Sequence, residues 1–228
     1  KFNGSISLLI TGDEEGVAPC SGDVGSLFHL IEGHDPCEVV SLWRKMVDAT
    51  HKGGLGIVSE AVSAIDIALW DLKAKVIEEP LWRLWGAMEG RVKGYASCIG
   101  YCLTNDELFS FYRRMAERGI DGGKLKVGLD LEADLHRIEI MREALSIVCE
   151  RPKLMLDVNE YWSPKQAIRL LDLIEQKFDI VWIEEPARRW DVEGLRLVSS
   201  NVKAAVATGE NLRTISEVSP LIRGEAVD

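Results

Sequence analysis

The sequence predicts an α/β protein: a (β/α) barrel, of which about five strands are present, that follows a smaller α+β domain. Two observations favour the barrel. From about residue 92 onward, short apolar runs alternate with amphipathic segments at intervals of about one βα unit. The apolar runs are continuous rather than alternating, which is typical of parallel strands buried on both faces. A doubly wound open sheet stays the alternative, although none of the predicted strands is followed by a glycine-rich phosphate loop.

Residues 1–91 are predicted to form the N-terminal α+β domain. Residues 5–11 have the apolar composition of a strand, and a helix is expected over 36–49. A second helix follows, with Ser59 as its N-cap and Pro80 beyond its end, and its apolar residues recur at helical spacing.

Residues 92–228 are predicted to form the first part of the barrel, with five strands that alternate with helices. The strands are expected at 95–99, 124–127, 153–157, 181–184 and 204–208. The helices are expected at 104–118, near 131–147, from Pro164, near 192–199 and from a capping box at Thr214 and Glu217. A complete barrel takes about 250 residues, so we expect its remaining strands to lie beyond residue 228.

Composition and charge argue against several classes of function. The 228 residues are 46% hydrophobic, as in a globular domain, and carry 27 basic and 37 acidic side chains, for a net charge of −10. An acidic chain repels phosphate backbones and anionic lipids, so we expect neither nucleic acid nor a membrane surface as a partner. Neither a secretion leader nor an apolar run of about 20 residues is visible, so we expect a cytoplasmic protein.

The five cysteines form an odd and scattered set, which is typical of reduced thiols packed as small hydrophobic residues. Cys98 and Cys102 lie close together in the sequence, but neither a second pair nor a nearby histidine completes a zinc site. We therefore expect these two cysteines to be core residues.

Three acidic residues stand where three successive predicted strands end: Asp157, Glu184 and Glu210. The carboxyl ends of parallel barrel strands converge, so we expect the three carboxylates to lie close together. Their mutual repulsion is relieved by a hard divalent cation, and carboxylate oxygens suit Mg²⁺. In the alternative interpretation, each acid only caps the helix that follows its strand.

Two lysines, Lys124 and Lys126, lie in an otherwise apolar predicted strand. Alternation along a strand places both on one face, where two ammonium groups are costly unless an anion is near. We expect each lysine to lower the pKa of the other, which makes a neutral lysine available as a base. The alternative is a pair of solvated lysines near the end of the strand.

A base beside a divalent cation points to one class of reaction. Removal of a proton α to a carboxylate builds further charge on an oxygen that is already anionic. A metal ion bound to that carboxylate stabilises the enediolate, while a nearby lysine takes the proton.

The order of these motifs resembles that of the enolase superfamily and, within it, the mandelate racemase/muconate lactonizing enzyme family. The similarity covers nearly the whole chain, and its last motif is closer to the mandelate-racemase branch. The motifs, in chain order, are Ala64-Ile65-Asp66-Ile67-Ala68-Leu69-Trp70-Asp71, Lys124-x-Lys126, Asp157-x-Asn159, Ile183-Glu184-Glu185-Pro186 and Gly209-Glu210-Asn211.

The resemblance implies a capping domain with specificity loops, followed by a modified TIM barrel that binds one Mg²⁺. Its metal ligands on that pattern are Asp157, Glu184 and Glu210. Lys126 corresponds to the catalytic base, and Lys124 tunes that base and helps to neutralise the substrate carboxylate. Asn159 corresponds to a polar, substrate-binding neighbour of the metal site, and Glu185 lies beside the second ligand.

The expected function is dehydration of a sugar acid, by abstraction of the α-proton and loss of the β-hydroxyl group. A racemase or epimerase that uses the same half-reaction is the alternative, and a non-catalytic scaffold is an alternative of a different class. The second acid/base of the family is expected beyond residue 228, and a homo-oligomer is expected from the family pattern.

Overall fold

The structure is a computed structural model that describes residues 21–50, 56–98 and 100–228, with side chains from residue 24 onward. Its contacts divide the chain into two compact units, Lys1–Val92 and Lys93–Asp228. The interpretation of the first unit as a capping domain stays a prediction.

The described part of the first unit is helical. Its four helices are α1 (Ser21–Leu27), α2 (Val39–Thr50), α3 (Ile57–Val76) and α4 (Leu81–Leu84). Apolar residues of α2 and α3, among them Met46, Ile65 and Leu69, form a core of their own. The strand predicted at 5–11 lies outside the described residues.

Helix α3 begins earlier than predicted. Its N-cap is Gly56, which enters the helix with a φ of 126°, and Ser59 lies inside the first turn. The prediction of Ser59 as the N-cap was therefore wrong, because glycine reaches a backbone conformation that other residues rarely adopt and so starts the helix before the serine. The helix ends at Val76, ahead of Pro80, and Pro80 instead caps the short helix α4.

The second unit contains a five-stranded parallel sheet in the order β1-β2-β3-β4-β5, with a helix after each strand. The strands are β1 (Ala96–Ser97), β2 (Gly122–Lys126), β3 (Lys153–Asp157), β4 (Ile180–Glu184) and β5 (Ala205–Ala207). The helices are α5 (Asn105–Glu117), α6 (Leu131–Ser146), α7 (Pro164–Glu175), α8 (Val192–Ser199) and α9 (Ile215–Arg223). The apolar core lies between the strands and these helices.

Periodicity and capping motifs in the sequence predicted the positions of most of these strands and helices. Thr104 and Ser163 cap α5 and α7 through reciprocal hydrogen bonds of the capping-box type. The capping box predicted at Thr214 was wrong: its side chain makes no capping bond to the described start of α9, and its hydroxyl group lies 2.8 Å from that of Ser216. The first strand is shorter than predicted, and residue 99 of that prediction is not described.

The four cysteines that the structure describes are thiols rather than disulfides. Cys98 packs against the core, but Cys102 is exposed, so its prediction as a core residue was wrong.

Among the described residues, no helix combines the length and apolar character needed to cross a membrane.

Candidate active site

The register of the sheet brings the predicted site residues into one row. Lys126 pairs with Asp157, Asp157 with Glu184, and Glu184 with Ala207. Because all of these strands are parallel, the row lies at their carboxyl ends, where barrel enzymes place their reacting groups. Glu210 follows three residues after Ala207, in the loop that leaves β5.

The three predicted metal ligands converge. Asp157, Glu184 and Glu210 each offer a carboxylate oxygen, and these oxygens lie within 4.8 Å of one another. Asp157 is fully buried, whereas Glu210 is exposed, so the cluster opens to one side. An all-oxygen, anionic donor set of this size fits a hard divalent cation such as Mg²⁺.

The two lysines of β2 face the same carboxylates, as alternation predicted. The Nζ atom of Lys126 lies 2.6 Å from Asp157 Oδ2, and that of Lys124 lies 3.0 Å from the same oxygen. Lys124 also donates to Glu184 Oε2 over 2.7 Å. The lysine side chains are only 10–15% exposed, so these ion pairs are largely shielded from water.

The expected lowering of the lysine pKa is wrong for Lys124. Burial lowers the pKa of this ammonium group, but hydrogen bonds to Glu184 and Asp157 more than offset that effect, and the pKa is raised. The sequence argument weighed one lysine against the other, whereas the nearest groups in the fold are carboxylates.

Asn159 lies between two of the predicted ligands. Its backbone N–H donates to Asp157 Oδ1 over 3.0 Å, and its side-chain amide donates to Glu210 Oε1 over 3.3 Å. Asn159 has a φ of 47°, a left-handed conformation that asparagine tolerates better than most residues. The turn therefore orients the amide toward the acidic cluster.

Glu185 is fully buried behind the cluster and does not join its ligand oxygens. Its Oε1 accepts a hydrogen bond from the Asn211 amide over 3.1 Å, and its Oε2 has no hydrogen-bond partner among the described residues. Burial raises the pKa of Glu185, and the bond from Asn211 opposes that rise. The backbone N–H of Glu185 donates to Ala207, which ties the loop after β4 to β5.

Sequence reasoning missed the side chains that support the site from outside it. Glu160 is buried and accepts from the Arg189 guanidinium over 2.7 Å and from its backbone N–H over 2.9 Å. Tyr101, Asp134 and Trp162 hold the turn that follows Lys126. Each of these residue types also has ordinary structural roles in proteins. Only their hydrogen bonds to the loops of the candidate site identify them as its supports.

Two family models match this chain. Residues 107–228 match the model described as enolase C-terminal domain-like, and residues 9–86 match that of the mandelate racemase / muconate lactonizing enzyme N-terminal domain. The chain belongs to the mandelate racemase/muconate lactonizing enzyme family. This membership confirms the resemblance and the α/β barrel class that the sequence predicted.

Similar members of this family include a dehydratase and a racemase. The L-talarate/galactarate dehydratase of Salmonella typhimurium is 37% identical over 199 residues, which cover 86% of this chain and 49% of that protein. Its structure with Mg and L-lyxarohydroxamate matches with a TM-score of 0.83 and 34% identity, over 95% of this chain and 55% of that one. A magnesium-bound racemase from Streptomyces coelicolor matches with a TM-score of 0.83 and 32% identity. The match covers 94% of this chain and 60% of that chain.

The chain spans about half the length of the curated relatives it matches. The activity, substrate and partners of the whole protein are therefore proposals.

Proposed function

We propose that this family member is a Mg²⁺-dependent dehydratase of a sugar acid. One observation carries the proposal: the lysine pair of β2 and the three carboxylates meet at the carboxyl ends of the strands. This arrangement supports the assignment of a proton acceptor beside a cation-binding site. The similar dehydratase, named for talarate and galactarate, supports a sugar acid as the substrate.

Each residue has a distinct part in the proposed reaction. Asp157, Glu184 and Glu210 would hold the Mg²⁺. When bound, this ion stabilises the negative charge that grows on the substrate carboxylate as the α-proton leaves. In its neutral form, Lys126 accepts that proton at Nζ, and Lys124 places a positive charge beside the substrate carboxylate. In a dehydration, the C–H bond at the α-carbon and the C–O bond at the β-carbon break while a C=C bond forms between these carbons. The departing hydroxyl group takes up one proton, which balances the proton that Lys126 accepts, and leaves as water; the resulting enol tautomerises to a 2-keto acid.

The metal site is tested by calorimetry with Mg²⁺. We expect Glu210→Gln to weaken the affinity at least tenfold, because it removes an anionic ligand from the cluster. Glu150→Gln is the matched control, since Glu150 is exposed and belongs to the turn before β3, at the other end of the sheet. An affinity of Glu210→Gln equal to that of the wild type would remove Glu210 from the ligand set.

The reaction is tested with a panel of sugar acids and Mg²⁺ in D₂O, using the protein as expressed from its natural gene. Its intact mass is measured first. We expect the loss of one water and a keto acid product, abolished in Lys126→Ala and kept in Lys177→Ala, a change at an exposed lysine after α7. Turnover unchanged in Lys126→Ala would exclude Lys126 as the base.

A racemase or epimerase is the second candidate, because it shares the proton abstraction and because a similar structure is described as a racemase. It is recognised in the same experiment by deuterium at the α-carbon and inverted configuration without loss of water. If none of the acids tested is dehydrated or racemised while Mg²⁺ binds normally, the result would favour the non-catalytic alternative. A cytoplasmic location and a homo-oligomer remain proposals.

A further inference from the structure

The turn that follows Lys126 is held by side chains from three separate segments. The Tyr101 hydroxyl group donates to the Val127 carbonyl oxygen over 2.6 Å. The Gly128 N–H donates to Asp134 Oδ2 over 2.7 Å, and the Trp162 indole N–H donates to the Gly128 carbonyl oxygen over 2.9 Å. All the hydrogen bonds reach backbone atoms one or two residues after the proposed base.

Close packing around Gly128 adds to this restraint. Its φ of 120° is a conformation that suits glycine, and a Cβ atom there would lie 3.1 Å from Val158 and 3.3 Å from the Trp162 ring nitrogen. The Val127 N–H also donates to the Asp157 carbonyl oxygen over 2.9 Å. The peptide planes on both sides of Val127 therefore have little freedom to rotate.

The hydrogen bonds that Asp134 and Trp162 make to this turn are not easily replaced by water. Asp134 and Trp162 are buried, with 5% and 4% of their surface exposed. Tyr101 is 43% exposed, but partial burial raises its pKa to about 12, so its hydroxyl group stays protonated and can donate throughout the physiological range. Removal of one of these groups leaves a backbone polar atom in a site where solvent does not readily reach it.

We propose that Tyr101 and Asp134 are positioning residues for Lys126. They fix the peptide group between Val127 and Gly128 and thereby set the direction in which the Lys126 side chain projects from the strand. This role rests on the proposed function of Lys126 as the base. A proton acceptor displaced by about 1 Å loses much of its rate, so the support matters for turnover more than for binding. Lys124 has separate support, because the buried Tyr112 hydroxyl group donates to its carbonyl oxygen over 2.6 Å.

The kinetic test compares Tyr101→Phe, Asp134→Ala and Asp134→Asn in exchange of the substrate α-proton with solvent deuterium. We expect Tyr101→Phe and Asp134→Ala to lower kcat about tenfold or more, with KM within about twofold of the wild type. Asp134→Asn keeps an acceptor for the Gly128 N–H and is expected to restore most of the rate. Asp130→Ala is the control, since it removes the cap of the same helix but none of the hydrogen bonds to Val127 and Gly128. A rise in KM without a fall in kcat, or an equal loss of kcat in Asp130→Ala, would overturn the proposal.

A second readout does not depend on turnover. Acylation of each lysine by an amine reagent is followed by peptide mass spectrometry. We expect Lys126 to react several-fold faster in Tyr101→Phe and Asp134→Ala than in the wild type, while Lys124 keeps its rate. This result in a protein without turnover would refute the proposed function and leave the positioning role supported. An unchanged rate at Lys126, or an equal increase at both lysines, would refute the positioning role itself.

Discussion

The buried carboxyl group of Asp134 predicts a pH dependence of stability opposite to that of most aspartates. Burial raises the pKa of this group from 3.8 to about 6, and the hydrogen bond from the Gly128 N–H only partly opposes the rise. The exposed Asp130, near the start of the same helix, raises it further. The carboxyl group is therefore more easily protonated in the folded protein than in the unfolded chain.

The sign and size of the effect follow from linkage. Between pH values of about 4 and 6, the folded state binds more protons at Asp134 than the unfolded state does. The contribution of this residue to the free energy of unfolding therefore falls as the pH rises through this window and is level above it. A difference of about two pKa units corresponds to about 3 kcal/mol.

Asp134→Asn tests this contribution, because asparagine has the same shape, still accepts from the Gly128 N–H and does not titrate. Urea unfolding of the wild type and of the variant is followed by tryptophan fluorescence at pH values from about 4 to 8. Subtracting the free energy of unfolding of the wild type from that of the variant cancels the contributions of the titrating groups that both proteins share. We expect the variant to gain up to about 3 kcal/mol on the wild type between about pH 4 and pH 7. The reasoning would be refuted if the difference in the free energy of unfolding did not change with pH, or if the wild type became more stable relative to the variant as the pH rose.

Three further predictions concern packing, charge and capping. Gly123→Ala is expected to cost about 1–3 kcal/mol in thermal unfolding, since its Cβ would lie 2.8 Å from both a methionine sulfur and a tyrosine ring; no loss would contradict this packing. Arg189→Met is expected to cost about 3–5 kcal/mol in urea unfolding, more than Glu160→Gln, because it leaves a buried carboxylate without its main partner; the reverse order would be inconsistent with the pair. Ser163→Ala is expected to cost about 1 kcal/mol and Thr214→Ala less than about 0.5 kcal/mol in the same assay, because only the serine caps its helix; equal costs would argue against that difference.

The row of site residues was predictable because it depends on few physical rules. Continuous apolar runs indicate parallel strands, and parallel strands end at one edge, so acids that follow such runs must converge. Asp157, Glu184 and Glu210 do so in the structure. The alternation that placed Lys124 and Lys126 on one face is equally local and was also confirmed.

The electrostatic state of the site was less predictable. The sequence shows that two lysines are close. It does not show that Lys124 forms ion pairs with two carboxylates, over 3.0 and 2.7 Å, which reverses the expected direction of its pKa shift. Likewise, Glu185 follows Glu184 directly in the sequence. Strand geometry places the Glu184 carboxylate in the acidic cluster and buries the Glu185 side chain. A pKa depends on distances and burial, and neither is a property of spacing along the chain.

By itself, the sequence determined most of the elements of the second unit and the residue types of the candidate site, because these follow from periodicity and alternation over a few neighbouring residues. Two of the capping predictions, at Ser59 and Thr214, failed. Only the tertiary structure decided which distant side chains support that site. The bonds from Tyr101 to Val127 and from Trp162 to Gly128 join residues 26 and 34 positions apart. Such contacts form when helices and loops pack around the sheet, and their geometry depends on the whole arrangement rather than on any local pattern.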